Sequence, residues 1–271
     1  MRLPWLPLAA AQALWLLSCT CLLAQNVNSG KESFSALNSA DVEAQRSQRT
    51  VFLNLKNLGQ QSITIPRLAA PMRSIAWKGH KPASRDEIKV TPEQTEWLIS
   101  WKEKPQDADT LVLRFGTSPK LLSETKPIHA QADGSYLLPA HRATVDGEKV
   151  RYEPQPYKNT VGYWTGARDQ ATWNLDVEQP GTFNVAILQG CGKGQGGSQA
   201  SITMTPEGAD ASEVALDFEV LETGHFQNFQ WRQLGTLQLQ DGKYTLTVSP
   251  KEIANKALMD VRAIHLVRLP D

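Results

Sequence analysis

Cysteine is scarce in this chain of 271 residues, and the three cysteines are unevenly placed. Cys19 and Cys21 fall in an apolar N-terminal run, whereas Cys191 stands alone in the rest of the sequence. If the N-terminal run is removed, Cys191 has no partner for an intramolecular disulfide. We therefore predict that the fold depends on its hydrophobic core, for which a hydrophobic content of 41% over this length is sufficient.

An excess of charge of either sign is also absent. The sequence has 28 Lys and Arg residues and 28 Asp and Glu residues, so its formal net charge is zero at pH 7 with His neutral. No basic segment favours binding to phosphate backbones. The sequence therefore predicts no nucleic-acid partner.

Long hydrophobic runs are absent apart from residues 3–17, which follow Arg2 and are too short to span a membrane. This pattern predicts a secretory signal peptide over residues 1–24, and hence a secreted, periplasmic or cell-surface protein. Residues 16–19, Leu-Leu-Ser-Cys, also resemble a bacterial lipobox, in which Cys19 is lipid-modified. Only in that case does the sequence predict membrane attachment.

The sequence shows no catalytic constellation. Its five His residues are scattered without metal-ligand spacing. Asp107 and Asp109 lie in a predicted turn, where short carboxylates bond their own backbone. Cys191 has no basic neighbour in sequence that would activate it as a thiolate. We therefore predict that the protein is not an enzyme.

A glycine-rich run at residues 188–198 contains Gly192, Gly194 and Gly197 in the spacing GxGxxG. A dinucleotide site of this kind needs a helix N-terminus after the glycines, but residues 198–205 have the pattern of another strand. We interpret the run as a loop between strands.

What the sequence does contain is the pattern of an all-β protein. Residues 25–49 are polar and predict a flexible segment. From Thr50 onward, short runs alternate apolar and polar residues between turn-forming residues. Residues 50–116 predict a small antiparallel β-sandwich, followed by a linker with one or two strands over 117–144. Residues 145–271 predict a second sandwich with the strand number of a jelly roll.

The predicted strands follow from local alternation and turn chemistry. In the first sandwich they lie at 51–55, 62–65 and 74–77 and in two strands with one apolar face each: Trp97, Ile99 and Trp101, then Leu111, Leu113 and Phe115. In the second, a Pro-Gly turn at 178–181 joins 171–177 to 182–188, and Asp-Gly at 241–242 predicts a second hairpin between 235–240 and 243–249.

Aromatic residues beside amides are the main functional signal. One group lies in 223–231, Thr-Gly-His-Phe-Gln-Asn-Phe-Gln-Trp, and another comprises Tyr163, Trp164 and Trp173. Stacking an aromatic ring on the apolar face of a pyranose removes water from both, while amides bond the hydroxyls. The predicted carbohydrate-binding residues are Tyr163, Trp164, His225, Gln227, Asn228 and Trp231. Trp173 and one of Phe226 and Phe229 are predicted to lie in the core.

Residues 145–269 resemble family 6 carbohydrate-binding modules, which are galactose-binding-like jelly rolls. The resemblance rests on residues 162–165, Gly-Tyr-Trp-Thr; 171–175, Ala-Thr-Trp-Asn-Leu; 180–185, Pro-Gly-Thr-Phe-Asn-Val; 223–227, Thr-Gly-His-Phe-Gln; and 258–261, Leu-Met-Asp-Val. It implies a jelly-roll sandwich and a structural calcium ion between Glu153 and Asp260, with no other cofactor required. The chain departs from the family at Leu258, where an asparagine usually contributes to the sugar cleft.

Two further resemblances point to glycoside-degrading systems. The glycine-rich run at 188–198 resembles a subgroup of these modules that is attached to secreted sulfatases and glycoside hydrolases. Residues 50–116 resemble the C-terminal β-sandwich of α-L-fucosidases through 63–66, Ile-Thr-Ile-Pro; 74–77, Ser-Ile-Ala-Trp; and 109–115, Asp-Thr-Leu-Val-Leu-Arg-Phe. The catalytic barrel that precedes this sandwich in those enzymes has no counterpart in the predicted organisation.

The sequence therefore predicts a secreted, non-catalytic carbohydrate-binding protein of two β-sandwiches that recognises a polysaccharide or glycan through its jelly roll. One alternative is an accessory or degenerate component of an α-L-fucosidase-like glycoside hydrolase system, with a glycoside hydrolase or sulfatase as partner. The other alternative is a structural module of the cell envelope.

Overall fold

The computed structural model describes residues 30–208 and 212–270. The predicted signal peptide, residues 1–24, and Cys19 within it lie outside the described residues, as do residues 25–29 of the predicted flexible segment.

Strands dominate the described residues, which confirms the all-β prediction. No helix among these residues has the length and hydrophobicity to cross a membrane. The short 3-10 helices span Ser35–Leu37, Leu122–Glu124 and Ala140–Arg142. The strands are β1 (Glu32–Ser33), β2 (Val42–Ser47), β3 (Thr50–Leu55), β4 (Ser62–Pro66), β5 (Met72–Trp77), β6 (Ile88–Pro92), β7 (Glu96–Trp101), β8 (Thr110–Phe115), β9 (Tyr136–Pro139), β10 (Thr144–Asp146), β11 (Arg151–Glu153), β12 (Thr160–Gly162), β13 (Gln170–Val177), β14 (Gly181–Cys191), β15 (Gln199–Pro206), β16 (Val214–Glu219), β17 (His225–Leu239), β18 (Gly242–Glu252) and β19 (Asp260–Arg268).

The first sandwich packs a five-stranded sheet, in the order β1-β2-β3-β8-β5, against a three-stranded sheet, in the order β4-β7-β6. All strand pairs within it are antiparallel. The alternating apolar residues of β7 and β8 point into the core, where Trp97 stacks on Phe115 at a centroid distance of 6.4 Å. The strands and buried faces predicted for this region are therefore confirmed.

This sandwich begins earlier than the sequence predicts. The prediction of a flexible segment at 25–49 is wrong for residues 32–47, which form β1 and β2. Phe34, Leu37 and Val42 are buried there, and β2 pairs with β3 along its whole length. The polar composition conceals this order because the ladder of backbone hydrogen bonds to β3 does not depend on side-chain polarity.

The second sandwich packs two larger antiparallel sheets face to face. One has the order β10-β13-β18-β15-β16, and the other has the order β11-β12-β19-β14-β17 with β9 paired to β19. The predicted linker, 117–144, is part of this packing from Ile128 onward, because Ile128 bridges to Leu175 and Tyr136 and Leu138 of β9 are buried. β9 is the strand predicted within it.

Both hairpins predicted in the second sandwich are wrong. β13 pairs with β10 and β18, whereas β14 lies in the other sheet with β17 and β19. β17 and β18 are likewise in different sheets. The Pro-Gly and Asp-Gly turns therefore carry the chain from one sheet to the other. A tight turn reverses chain direction in either case, so its chemistry does not specify which strand becomes the hydrogen-bonding partner.

The two sandwiches share a continuous hydrophobic core, and the described residues from Glu32 onward form one compact unit. Trp97 of the first lies 6.4 Å from Tyr152 of the second, measured between ring centroids. The Arg67 guanidinium is buried between them and donates a hydrogen bond of 2.7 Å to the Ala143 carbonyl. Burial lowers the pKa of Arg67 to about 10. This packing holds the facing surfaces of the two sandwiches at a defined separation.

Candidate functional site

Trp164 was predicted to contact carbohydrate, and the structure contradicts this. Its side chain is fully buried, and its indole N–H donates a hydrogen bond of 2.9 Å to the Val161 carbonyl. The neighbouring Tyr163 has a positive φ of 62°, which breaks the extended alternation after β12. That turn directs Tyr163 outward and Trp164 into the core, so Trp164 has a packing role.

Tyr163 is 43% exposed, but a cation covers one face of its ring. The guanidinium carbon of Arg151 lies 3.5 Å from the ring centroid, and the Lys158 ammonium nitrogen lies 5.6 Å from it. Only the other face of the ring is then open for stacking on a sugar. Tyr163 therefore lies on a surface that is rich in positive charge.

Three further predicted residues lie at the start of β17 and bond to the protein itself. The His225 ring nitrogen Nδ1 accepts a hydrogen bond of 3.1 Å from the backbone N–H of Gln227. The Asn228 amide donates one of 2.5 Å to the Thr223 carbonyl, and the Gln227 side chain bonds to Asp260. The structure thus brings these three close together, with their polar groups already engaged in organising the turn.

Trp231 is the predicted site residue with the most accessible ring. It is 51% exposed and lies on the outer face of the six-stranded sheet, with its ring centroid 6.0 Å from that of His265 on β19. Two other large apolar side chains on this face are also exposed: Leu137 at 41% and Val267 at 36%. We call Trp231, His265, Leu137 and Val267 the sheet patch.

Strand register places the sheet patch on one continuous surface. Directly opposed residues project on the same side of a sheet, and the opposed pairs are Trp231 with Leu188, Gln233 with Ala186, Ala186 with His265, His265 with Leu137, and Asn184 with Val267. The intervening residues Ile187, Ile264 and Leu138 are buried. The sheet patch is therefore the solvent-facing side of the sheet whose other side forms the core.

Neutral polar groups border the sheet patch. The Gln233 amide donates a hydrogen bond of 2.5 Å to Asn184 Oδ1, and farther along the same strands Thr182 Oγ1 donates one of 2.7 Å to Gln238 Oε1. None of these four residues has a charged side chain. A flat aromatic ring beside amides and hydroxyls is the combination that binds a neutral sugar ring.

His265, Leu137 and Val267 are not among the binding residues that the sequence predicts. A local signal existed for two of them, because alternation along 263–268 places His265 and Val267 on the face opposite Ile264 and Leu266. No local signal connects Leu137 to them, since it comes from a strand more than one hundred residues earlier in the chain.

Glu153 and Asp260, the predicted metal ligands, do lie together. Both side chains are buried, and a Cβ built on Gly162 would lie 2.9 Å from Glu153 Oε2 and 2.8 Å from Asp260 Oδ1. Burial, together with the negative charge of Glu153, raises the pKa of Asp260 to about 8. The hydrogen bond from Gln227 and the charges of Lys158 and Arg262 act in the opposite direction.

These residues do not fit a calcium ion as arranged here. The ammonium group of Lys158 bonds to Glu153 Oε1 and supplies the positive charge that a metal would provide. Within residues 30–208 and 212–270, no cluster of three or more His, Cys, Asp or Glu side chains is placed to hold a metal. Calcium requires six to eight oxygen ligands. Structural calcium stays a prediction from the family resemblance, which this arrangement does not favour.

We expect the melting temperature to be the same in 1 mM EDTA and in 1 mM CaCl2, because an ion that binds only the folded state would raise it by mass action. Differential scanning calorimetry of the full chain at pH 7 measures this, with MgCl2 at equal ionic strength as the control. A melting temperature that rises with calcium alone would show that the folded protein binds calcium, and loss of that rise in Glu153→Gln would place the ion at Glu153.

Cys191 and the glycine-rich run are the other sequence features that were considered for chemistry, and the structure describes both. Cys191 is buried, and burial raises the pKa of its thiol to about 11, so the thiolate is scarce at neutral pH. The glycine-rich run leads into β15 and not into a helix, as predicted, so it is a loop between strands. The described strands and short 3-10 helices form no catalytic barrel.

No protein-family model matches the sequence, and comparison with curated proteins gives no match. Among solved structures, an α-L-fucosidase from Vibrio sp. strain EJY3 is similar over 83% of this chain and 39% of its own, at 11% identity and a TM-score of 0.34. The chain thus spans well under half the length of that enzyme.

Two family 35 carbohydrate-binding modules are also similar to the chain. The module from Clostridium thermocellum aligns over 48% of this chain and 97% of its own, at 13% identity and a TM-score of 0.39. The module from Cellvibrio japonicus aligns over 49% of this chain and 92% of its own, at 14% identity and a TM-score of 0.38. Carbohydrate-binding modules and an α-L-fucosidase are therefore among the proteins similar to this chain, as the sequence predicts, with modules of family 35 where the sequence resemblance named family 6.

Proposed function

We propose that the chain is a non-catalytic carbohydrate-binding protein that binds a neutral glycan on the outer face of its six-stranded sheet. The observation that carries this proposal is the exposed indole of Trp231, which lies beside His265 on the outer face of the six-stranded sheet. Trp231 is the most exposed of the large hydrophobic side chains in the described residues, together with Leu58.

The physical basis of binding is stacking. The C–H face of a pyranose packs on the indole ring and both surfaces lose water, while Gln233 and Asn184 lie within reach of the ring's hydroxyl edge. Because the sheet patch is open, each hydrogen bond replaces one to water and contributes about 1 kcal/mol or less. Affinity for a single sugar is therefore modest, and a polymer that engages successive sugars binds more tightly.

The proposal includes a location outside the cytoplasm. Its support is the basic start and short apolar run of residues 1–24, which have the pattern of a secretory signal. A soluble polysaccharide or a cell-wall glycan is then the accessible ligand. Pulse labelling of the full chain in the native host, followed by fractionation, tests the location through loss of the N-terminal segment.

Trp231→Ala is expected to weaken glycan binding about tenfold or more while leaving the melting temperature nearly unchanged, because the side chain contacts solvent more than core. Affinity electrophoresis against a panel of neutral polysaccharides identifies the ligand, and calorimetry on its oligosaccharides measures the change. Leu98→Ala, which truncates a comparably exposed apolar side chain on the first sandwich, is the control and leaves binding intact. Equal retention of the wild type and Trp231→Ala would rule out the sheet patch as the binding surface.

A second candidate function has its own support in Leu137 and Val267. Exposed aliphatic side chains bury well against a protein but offer no flat ring for a sugar. In this alternative, the sheet patch docks the chain on a glycoside hydrolase as an accessory component. Co-purification with a hydrolase that is lost in Leu137→Ser, together with no retention on any glycan, favours docking over carbohydrate binding.

A further inference from the structure

A cleft of about 820 Å³ lies between parts of the two sandwiches, beside their shared core, and is distinct from the sheet patch. Its walls come from β5, β6 and the segment after β5 on one side, and from β11, the segment after it and Tyr163 on the other. Its volume falls in the range of small-molecule sites, about 300–1,000 Å³. Because the sandwiches share a core beside it, the cleft exists without any ligand-induced closure.

The cleft is basic in a chain of zero net charge. Five basic side chains line it, Arg73, Arg85, Lys89, Arg151 and Lys158, against the two carboxylates of Asp86 and Glu153, an excess of three positive charges. Lys158 already bonds to Glu153. The ion pairs formed within residues 30–208 and 212–270 include none to the other four cations.

Two of the guanidinium groups are held in place by aromatic rings. The guanidinium carbon of Arg85 lies 3.2 Å from the ring centroid of Tyr157, and that of Arg151 lies 3.5 Å from that of Tyr163. Stacking restrains a guanidinium group but leaves its in-plane N–H groups available for a carboxylate or sulfate. The Arg85 and Tyr157 pair also joins the two walls of the cleft.

Unpaired polar atoms line the same cleft. Arg151 Nε, a donor, and Gln155 Oε1, an acceptor, are buried and have no hydrogen-bond partner among the described residues. The amide nitrogen of Gln155 is engaged across the two sandwiches, where it donates to the Val90 carbonyl at 2.8 Å. A ligand that carries both an anionic group and hydroxyl donors satisfies both atoms, whereas a simple anion satisfies only the first.

We propose that the cleft between the sandwiches binds an acidic saccharide, whose carboxylate or sulfate groups pair with Arg73, Arg85, Lys89 and Arg151 and whose hydroxyl groups bond to Gln155. This inference rests on the proposed function in that the ligand is a glycan, but it places a second, charge-dependent site at the junction of the two sandwiches. The first sandwich then contributes half of a binding site and is more than a spacer.

The test compares three oligosaccharide probes of equal length by isothermal calorimetry on the full chain: an oligogalacturonate, a sulfated oligogalactan and a neutral oligogalactan. The double variant Arg73→Gln/Lys89→Gln removes two exposed cations that stack on no ring. We expect it to weaken binding of the preferred acidic probe about tenfold or more, and we expect binding of that probe to the wild type to weaken as NaCl rises. The acidic probe that binds more tightly distinguishes carboxylate from sulfate.

The control is Lys120→Gln/Lys126→Gln, which removes the same charge from exposed lysines outside the cleft and is expected to change affinity less than about twofold. Arg85→Lys gives a second readout, because it keeps the positive charge and loses the planar guanidinium group that stacks on Tyr157. We expect its affinity for the acidic probe to lie between those of the wild type and of Arg73→Gln/Lys89→Gln. Equal losses in the two double variants would overturn the proposal, as would equal binding of the neutral probe or of a single-stranded oligonucleotide of matched charge.

The two proposals fail in different ways. If Trp231→Ala abolishes neutral glycan binding and no acidic probe binds, the cleft proposal is wrong and the sheet patch stands. If the acidic probe binds through Arg73 and Lys89 and Trp231→Ala changes nothing, the cleft stands and the sheet patch is wrong.

Discussion

Trp164→Ala is expected to destabilise the protein by about 3–5 kcal/mol, the range found when a buried Trp is truncated. The side chain is fully enclosed, so its removal leaves a cavity, and the Val161 carbonyl loses the 2.9 Å hydrogen bond from the indole. Chemical denaturation at pH 7 followed by far-ultraviolet circular dichroism measures the change as a lower midpoint with a similar slope.

Trp164→Phe is the matched variant, because it keeps most of the ring and loses the indole N–H. We expect it to cost about 1–3 kcal/mol, because the buried Val161 carbonyl loses its 2.9 Å bond from the indole and keeps only the 3.3 Å bond from Thr160 Oγ1, and because a small cavity forms. If Trp164→Ala instead folds with wild-type stability and loses glycan binding, Trp164 is a binding residue, as the sequence predicts.

Lys158→Met is expected to destabilise the protein by about 3 kcal/mol at pH 7, the lower end of the cost of breaking a buried ion pair. Lys158 bonds to buried Glu153, and Asp260 lies beside it. Burial by itself lowers the pKa of Lys158. The hydrogen bond to Glu153 and the negative charge of Glu153 outweigh this effect and hold the pKa of Lys158 above its ordinary value. Methionine of similar length keeps the packing but leaves the Glu153 carboxylate without a counter-charge.

Lys149→Met, on an exposed lysine shortly before β11, is the control and is expected to change stability by less than about 0.5 kcal/mol. Calcium provides an independent readout, because in Lys158→Met the two carboxylates are free to bind a divalent ion. We therefore expect CaCl2 to raise the melting temperature of this variant and not that of the wild type. A Lys158→Met protein as stable as the wild type in EDTA would show that the ion pair contributes nothing.

The sign of the pH dependence is a further check on this cluster. The pKa of Asp260 is raised from 3.8 to about 8, so the stability from its protonated form is complete below about pH 4 and is lost progressively as pH rises to about 8. Stability therefore falls as pH rises through that window, with an upper limit of about 1.4 kcal/mol per pH unit for one proton. Asp260→Asn, which resembles the neutral acid, removes this slope, and an unchanged slope would place the titration elsewhere.

Local alternation was sufficient for the strands of the first sandwich. Trp97, Ile99 and Trp101 are buried as the sequence predicts. Residues at every second position project from the same face of a strand, so burying that one face covers all three side chains. The same reasoning failed at residues 32–47, where few large apolar side chains are present and order comes from backbone pairing with β3.

Turn chemistry was less informative than alternation. The Pro-Gly and Asp-Gly turns were located correctly, but the strands that flank them lie in different sheets. The choice of partner depends on which strand, distant in sequence, completes each ladder; β14, for example, pairs with β17 and β19. The Pro-Gly and Asp-Gly residues of the turns do not determine which strands pair.

The candidate sites show the same division. Aromatic and amide residues at 163–164 and 223–231 indicated sugar chemistry, and the absence of metal-ligand and nucleophile patterns argued against catalysis. Which aromatic is accessible depended on the backbone and on strand pairing. The positive φ of Tyr163 turns Trp164 inward, while the pairing of β17 with β14 places Trp231 opposite Leu188 on the outer face of the sheet. The basic cleft had no sequence signal, because its cations come from residues 73 to 158 on both sandwiches.

By itself, the sequence determined that this protein is all-β, where most of its strands run and which of their faces are apolar. The tertiary structure alone decided which strands pair, that the two sandwiches share one core, that Trp231 and not Trp164 faces solvent, and that five cations meet in one cleft. The reason is physical: the direction of a side chain follows from its local backbone, but its burial and its partners depend on chain segments far away in sequence.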